Sequence, residues 1–188
     1  MSTTLHIFIF AAIMLFIISE GAGDKPPKKK SHQKTPRPKD EYQIFNKLCI
    51  EEHNKYRKRH HVPPLKSDST LYLKARAWAN RLARTGDVRH ETLRGIGENI
   101  YWMTLAQQPY SQYAAEAVQL WYDENKLYDY QRGGFSPSTA HYTQLVWKST
   151  THVGCGYAVS RSQTCFVVCK YSPQGNIPDE YQRNVLRP

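Results

Sequence analysis

The chain has 188 residues, of which 40% are hydrophobic and 22% charged, with a formal net charge of +10 and four cysteines. That length suits one domain with appendages. The apolar content excludes a wholly disordered chain, and the one apolar run, too short to span a bilayer, excludes a bundle of membrane helices.

The appendages come first. Leu5–Ile18 is a nearly unbroken apolar run of 14 residues, followed by Ser19, Gly21, Ala22 and Gly23. A bilayer-spanning helix needs about 20 apolar residues, so residues 1–23 are expected to be a secretory signal peptide, although Met1–Thr4 carries no Lys or Arg. An uncleaved anchor or a buried helix is the alternative. With Ser2 after Met1, N-myristoylation, which needs glycine at that place, is not expected. Residues 24–40 hold seven basic residues against Asp24 and Asp40, four prolines and no large apolar side chain. Such a segment cannot bury enough surface to offset its ordering entropy. It is expected to be a disordered basic arm, either a solubilising tether or a dock for anionic polysaccharide or acidic membrane surface. Nucleic acid is not an expected partner of a secreted chain.

About 145 residues remain, enough for one core, and 13 Tyr and four Trp help to fill it. Ile44, Phe45, Leu48 and Cys49 predict a helix over 42–60, stopped by Pro63-Pro64. The basic run Lys55–His61 closes that helix; its cations suit the negative helix end or extend a basic surface. Leu71, Ala75, Trp78, Ala79 and Leu82 predict a second helix over 69–85 with Gly86 as its C-cap. Ala114, Ala117, Val118 and Trp121 predict a third over 112–127, and a short fourth is expected over 143–147. Strands are expected at 99–103, 153–159 and 165–171. Helices before a late group of strands give an α+β layered fold.

An even cysteine count behind a leader predicts two disulfides among Cys49, Cys155, Cys165 and Cys169, with three pairings open. Their spacing is not that of a zinc site. No Asn-x-Ser/Thr sequon is present.

Three blocks stand in order along the chain: Gly97-Glu98-Asn99-Ile100, then Ala140-His141-Tyr142-Thr143-Gln144-Leu145-Val146-Trp147, then Phe166–Ile177. The set resembles the CAP superfamily of cysteine-rich secretory, antigen 5 and pathogenesis-related proteins. The Trp121-Tyr122-Asp123-Glu124 and aromatic-loop sequences look closest to its Golgi-associated subgroup. The resemblance implies a three-layer α-β-α sandwich over residues 41–188 and a Cys155–Cys169 disulfide, and with it Cys49–Cys165. It implies a cavity tetrad of His90, Glu98, Glu124 and His141, where zinc or magnesium is the candidate cation and no cofactor is required. From the residues alone, two His–Glu pairs are equally a polar network tying helices to the sheet. Tyr128, Tyr130 and Phe135 look like the aromatic sterol-linked loop of CAP relatives. They would clasp a flat lipid around Gly133-Gly134, or simply pin the loop. His53 sits in a family-like His-Asn-x-x-Arg start and reads as structural. Ala140 and Lys170 depart from the usual pattern.

Signatures for Ser or Cys nucleophiles and for His-Glu-x-x-His zinc proteases are absent. The expected function is a non-enzymatic binder of sterol or other lipid. The alternatives are a hydrolase using the His/Glu cleft, with Ser149 or Ser138 reaching His141, and a ligand for an unknown protein receptor in defence, venom or reproduction.

Overall fold

The computed structural model describes residues 38–188; the expected leader and nearly all of the basic arm lie outside the described residues. Helix α1 runs Pro38–Arg59, β1 Lys66–Ser67, α2 Ser69–Thr85, β2 Gly97–Met103 and α3 Gln112–Asp123. A 3-10 turn covers Glu124–Leu127, followed by α4 Ala140–Val146, β3 His152–Val159, β4 Cys165–Ser172 and α5 Tyr181–Asn184. The sheet order is β1-β3-β4-β2, with β1 parallel to β3 and the other pairs antiparallel.

Alternation along the strands builds three layers. Cys165, Val167, Cys169 and Tyr171 face one core with α1, α3 and α4; Phe166 and Val168 face a second core with α2. This is the expected α-β-α sandwich. Asp68 Oδ1 accepts from Leu71 N at 2.8 Å to start α2, and Gly86 ends it at φ +70°. Glycines let α2 lie directly on β3. A Cβ on Gly154 would fall 2.1 Å from Tyr72 N, and one on Gly156 2.5 Å from Arg76 Cγ. At the sheet's other end, α3 is tied to β2 twice: Trp121 Nε1 donates to Ile100 O at 3.4 Å and Tyr101 Oη to Glu116 Oε1 at 2.6 Å.

Three helices differ in extent from the sequence reading, and the strand expected at 99–103 begins two residues earlier, at Gly97. Helix α1 opens at Pro38, inside the segment assigned to the arm; proline's fixed φ suits a first helical turn. The expected single helix over 112–127 breaks into α3 and the 3-10 turn, where Asn125 Nδ2 donates to Tyr122 O at 2.6 Å. Helix α4 begins three residues before 143, because its first amides find a partner in Glu124 from another element.

The basic run that closes α1 is partly interior. Arg57 and His60 are fully buried, whereas Lys58, Arg59 and His61 are exposed. The Arg57 guanidinium donates to the carbonyls of Pro63, Leu145, Trp147 and Thr150 at 2.8–3.0 Å, binding the end of α1 to the segment after α4. Burial lowers its pKa to about 10, so it remains a cation at neutral pH.

Of the two expected disulfides, Cys155–Cys169 is present and Cys49–Cys165 is not: both of those residues are buried thiols. The Sγ of Cys49 lies within 4.8 Å of those of Cys155 and Cys169. Cys165 sits four positions back along β4 from Cys169, roughly 13 Å away at strand rise, out of reach of Cys49.

Candidate functional site

Two histidines are held by two carboxylates at one cleft. Glu124, at the end of α3, turns its carboxylate onto the start of α4. Its Oε2 accepts from the His141 and Tyr142 amides at 3.0 Å each, and its Oε1 from His141 Nδ1 at 2.6 Å. One side chain therefore caps a helix, complements its positive end and orients the imidazole. His90, in the loop after α2, places Nδ1 2.7 Å from Glu98 Oε1, which also accepts from the Glu91 amide at 3.0 Å. Trp78 Nε1 steadies that loop by donating to Arg89 O at 3.1 Å.

Glu98 is itself locked by Lys170, which sequence reasoning registered only as a departure from the usual residue. Lys170 is wholly buried. Its Nζ lies 2.6 Å from Glu98 Oε2 and 2.7 Å from Glu91 Oε2, with the Trp78 ring 5.7 Å away. A buried cation persists only where carboxylates compensate its lost hydration, so Glu98 serves Lys170 as well as His90.

The cleft between the histidines has a volume of about 410 Å³ and is lined by His90, His141, Glu98, Asn99, Phe135 and Asn176, among others. Each imidazole commits Nδ1 to its carboxylate and leaves Nε2 without a protein partner among the described residues. The four residues do not form a closed cage. Among the described residues, the one group of three or more His, Cys, Asp or Glu with ligand atoms mutually within 4.8 Å is Cys49, Cys155 and Cys169. The donors on offer are two imidazole nitrogens, which suit a transition metal in an open site. Magnesium prefers oxygen ligands, and both carboxylates are already engaged.

The expected clasp of three aromatic faces is not assembled. Tyr128 is buried, and Tyr130 packs on it edge to face at 5.0 Å while sharing a 2.6 Å hydrogen bond with Tyr142 Oη. These two pin the loop to the core. Phe135, beyond Gly133 and Gly134 at φ +65° and +93°, is 65% exposed and stands at the cleft instead. The serines invoked for hydrolysis are engaged elsewhere: Ser149 Oγ donates to Asn184 Oδ1 at 2.7 Å, and Ser138 Oγ shares a 2.8 Å bond with Ser136 Oγ.

Behind the cleft runs a chain of hydrogen bonds that starts at His53. Its Nδ1–H donates to Cys49 O at 2.6 Å and its Nε2 accepts from Tyr171 Oη at 2.7 Å. Asn99 Nδ2 donates to Tyr171 Oη at 3.2 Å and to His141 O at 3.1 Å. Burial lowers the His53 pKa to about 4. An unfolded histidine titrates near 6.5, so between these values the unfolded chain binds the extra proton and stability rises with pH. Stability contributed by neutral His53 is full above pH 6.5 and is lost as pH falls towards 4, on the order of 3 kcal/mol. Thermal melts from pH 7 to 4 will show this loss in the native protein and a shallower one in His53→Gln; equal slopes would refute it.

A three-layer sandwich that presents two carboxylate-held imidazoles at an open cleft defines a domain of the CAP type. Residues 50–171 match the family described as "CAP: Cysteine-rich secretory protein family", and the chain belongs to that family. It is 38% identical over 149 residues to human Golgi-associated plant pathogenesis-related protein 1, covering 77% of this chain and 94% of that protein. It is 37% identical over 158 residues to secreted protein RBT4 of Candida albicans, covering 77% of this chain and 41% of that protein. The fold matches the crystal structure of NaASP2 with Zn2+ at a TM-score of 0.63, with 20% identity over 81% of this chain and 92% of that one. No described helix is long and apolar enough to cross a membrane.

Proposed function

We propose that this CAP-family chain is a secreted, non-enzymatic binding protein whose cleft takes zinc reversibly between His90 and His141. The observation that carries the reading is the pairing of each Nδ1 with a carboxylate, which leaves both Nε2 atoms as acceptors at one cleft. The carboxylates fix the tautomers and raise ligand basicity; two neutral ligands make a weak, exchangeable site rather than a structural one. Calorimetric titration with zinc chloride tests it. His90→Gln and His141→Gln are each expected to lower affinity more than tenfold, about 1.4 kcal/mol, and Glu98→Gln about 10–100-fold through the loss of orientation. Zinc uptake unchanged in the double histidine variant sinks the proposal.

A second reading concerns lipid, favoured by the exposed ring of Phe135 beside Leu93, Ile96 and Ala140 at the same cleft. An apolar ring system would rest on these side chains rather than between Tyr128 and Tyr130. Phe135→Ala is expected to abolish cholesterol binding and Tyr130→Phe to leave it intact. Absence of saturable sterol binding by the native protein removes this reading.

A further inference from the structure

Three sulfur atoms from three different elements meet in the core. Cys49 projects from α1, Cys155 from β3 and Cys169 from β4, all fully buried, with their Sγ atoms within 4.8 Å of one another. Two are joined; the third carries a free thiol 3.9 Å from the Ala114 carbonyl. We propose that the three form one thiol–disulfide exchange unit, in which a single disulfide passes between the β3–β4 pair and α1.

The step balances without any oxidant or reductant. Cys49 loses its proton, and its thiolate forms a bond to Sγ of Cys155 or Cys169. The Cys155–Cys169 bond breaks, its electron pair leaves on the other sulfur, and that thiolate takes up the proton. One disulfide and one thiol exist before and after. The product staples α1 to the sheet and leaves the displaced thiol in the same pocket.

Two features confine the exchange. Cys155 and Cys169 are register partners in the β3–β4 ladder, so backbone hydrogen bonds keep them facing each other whether or not they are bonded. No bulk solvent reaches the sulfurs, so external thiols compete poorly with Cys49 and the reaction stays within the chain. Burial also pushes the Cys49 thiol up, which makes the thiolate scarce and the exchange slow at neutral pH. Cys165 takes no part, being four strand positions away. The unit borders the hydrogen-bond chain behind the cleft, since Cys49 O is the acceptor for His53.

The test maps disulfides in the full chain. Cys155→Ser and Cys169→Ser are refolded in a glutathione redox buffer, quenched in acid, alkylated and analysed as unreduced peptides by mass spectrometry. The expected bonds are Cys49–Cys169 in the first and Cys49–Cys155 in the second, in monomeric protein with Cys165 reduced. A remaining thiol at Cys49, a bond to Cys165 or an intermolecular dimer overturns the proposal. Should the variants not fold, the native oxidised protein is held at pH 9 without denaturant and mapped in the same way. Migration of part of the disulfide to Cys49 within a day supports exchange, and a disulfide found solely at Cys155–Cys169 overturns it.

Discussion

Arg57→Ala is expected to destabilise the protein by about 3–5 kcal/mol, because it strips four carbonyls of their donor and opens a cavity in the core. In a domain of this size that corresponds to a fall in melting temperature of roughly 10 °C or more. Lysine should recover less than half of the loss. Its single nitrogen has no planar fork to reach Pro63 on one side and Leu145, Trp147 and Thr150 on the other. Because the Leu145 carbonyl lies in the last turn of α4 and those of Trp147 and Thr150 follow it, the same substitution loosens the helix that presents His141, and the proposed zinc affinity should fall with stability. A melt within 2 °C of the native value, on the scale of roughly 2–4 °C per kcal/mol, would show that the loop after α4 is held by other contacts.

Gly154→Ala should be damaging for a different reason. The added methyl meets the Tyr72 and Leu71 backbone at 2.1 and 2.5 Å, and backbone within a helix cannot rotate out of the way as a side chain can. Helix α2 must lift from β3, at a cost of about 3 kcal/mol or more. Gly86→Ala provides the contrast. Its Cβ meets nothing within 4 Å, so only the strain of φ +70° opposes it, about 1 kcal/mol. Chemical denaturation of both variants should rank them in that order. Lifting α2 also withdraws Trp78 from Lys170 and from the Arg89 carbonyl, so His90 should lose its fixed position and Gly154→Ala the proposed zinc binding. Equal stability of the two variants would mean that α2 does not rest on the sheet as closely as described.

Much of this architecture was legible in the residues. Helical spacing gave α1 and α2 to within a few positions, and the Gly86 cap was found where expected. The ordered blocks pointed to His90, Glu98, Glu124 and His141, which the fold brings together as two pairs. What escaped was long-range compensation. Arg57 sits in a run of cations that reads as surface, yet the acceptors that make its burial tolerable lie up to 93 residues away. Lys170 looked like a local irregularity, and only the folded loop supplies Glu91 as its second carboxylate. The start of α4 escaped because its cap, Glu124, belongs to another element. The aromatic loop misled in the opposite direction: a short pattern of rings does not reveal which of them the core claims, and it buries Tyr128 and holds Tyr130 half-buried against it. Cysteine counting likewise gave an even number without geometry, and distance along β4 left Cys165 unpaired.

The ties between α3 and β2 bear on how much of the sheet's margin is left bare. Strand β2 is the seven-residue margin of the sheet, and a bare margin invites a strand from a neighbouring molecule to pair with it. The Trp121 indole already occupies the Ile100 carbonyl, and the Tyr101–Glu116 bond straps the helix alongside. The same helix whose end supplies Glu124 to the cleft thus covers part of this margin, so loosening α3 would bare the strand edge and disturb the cleft together.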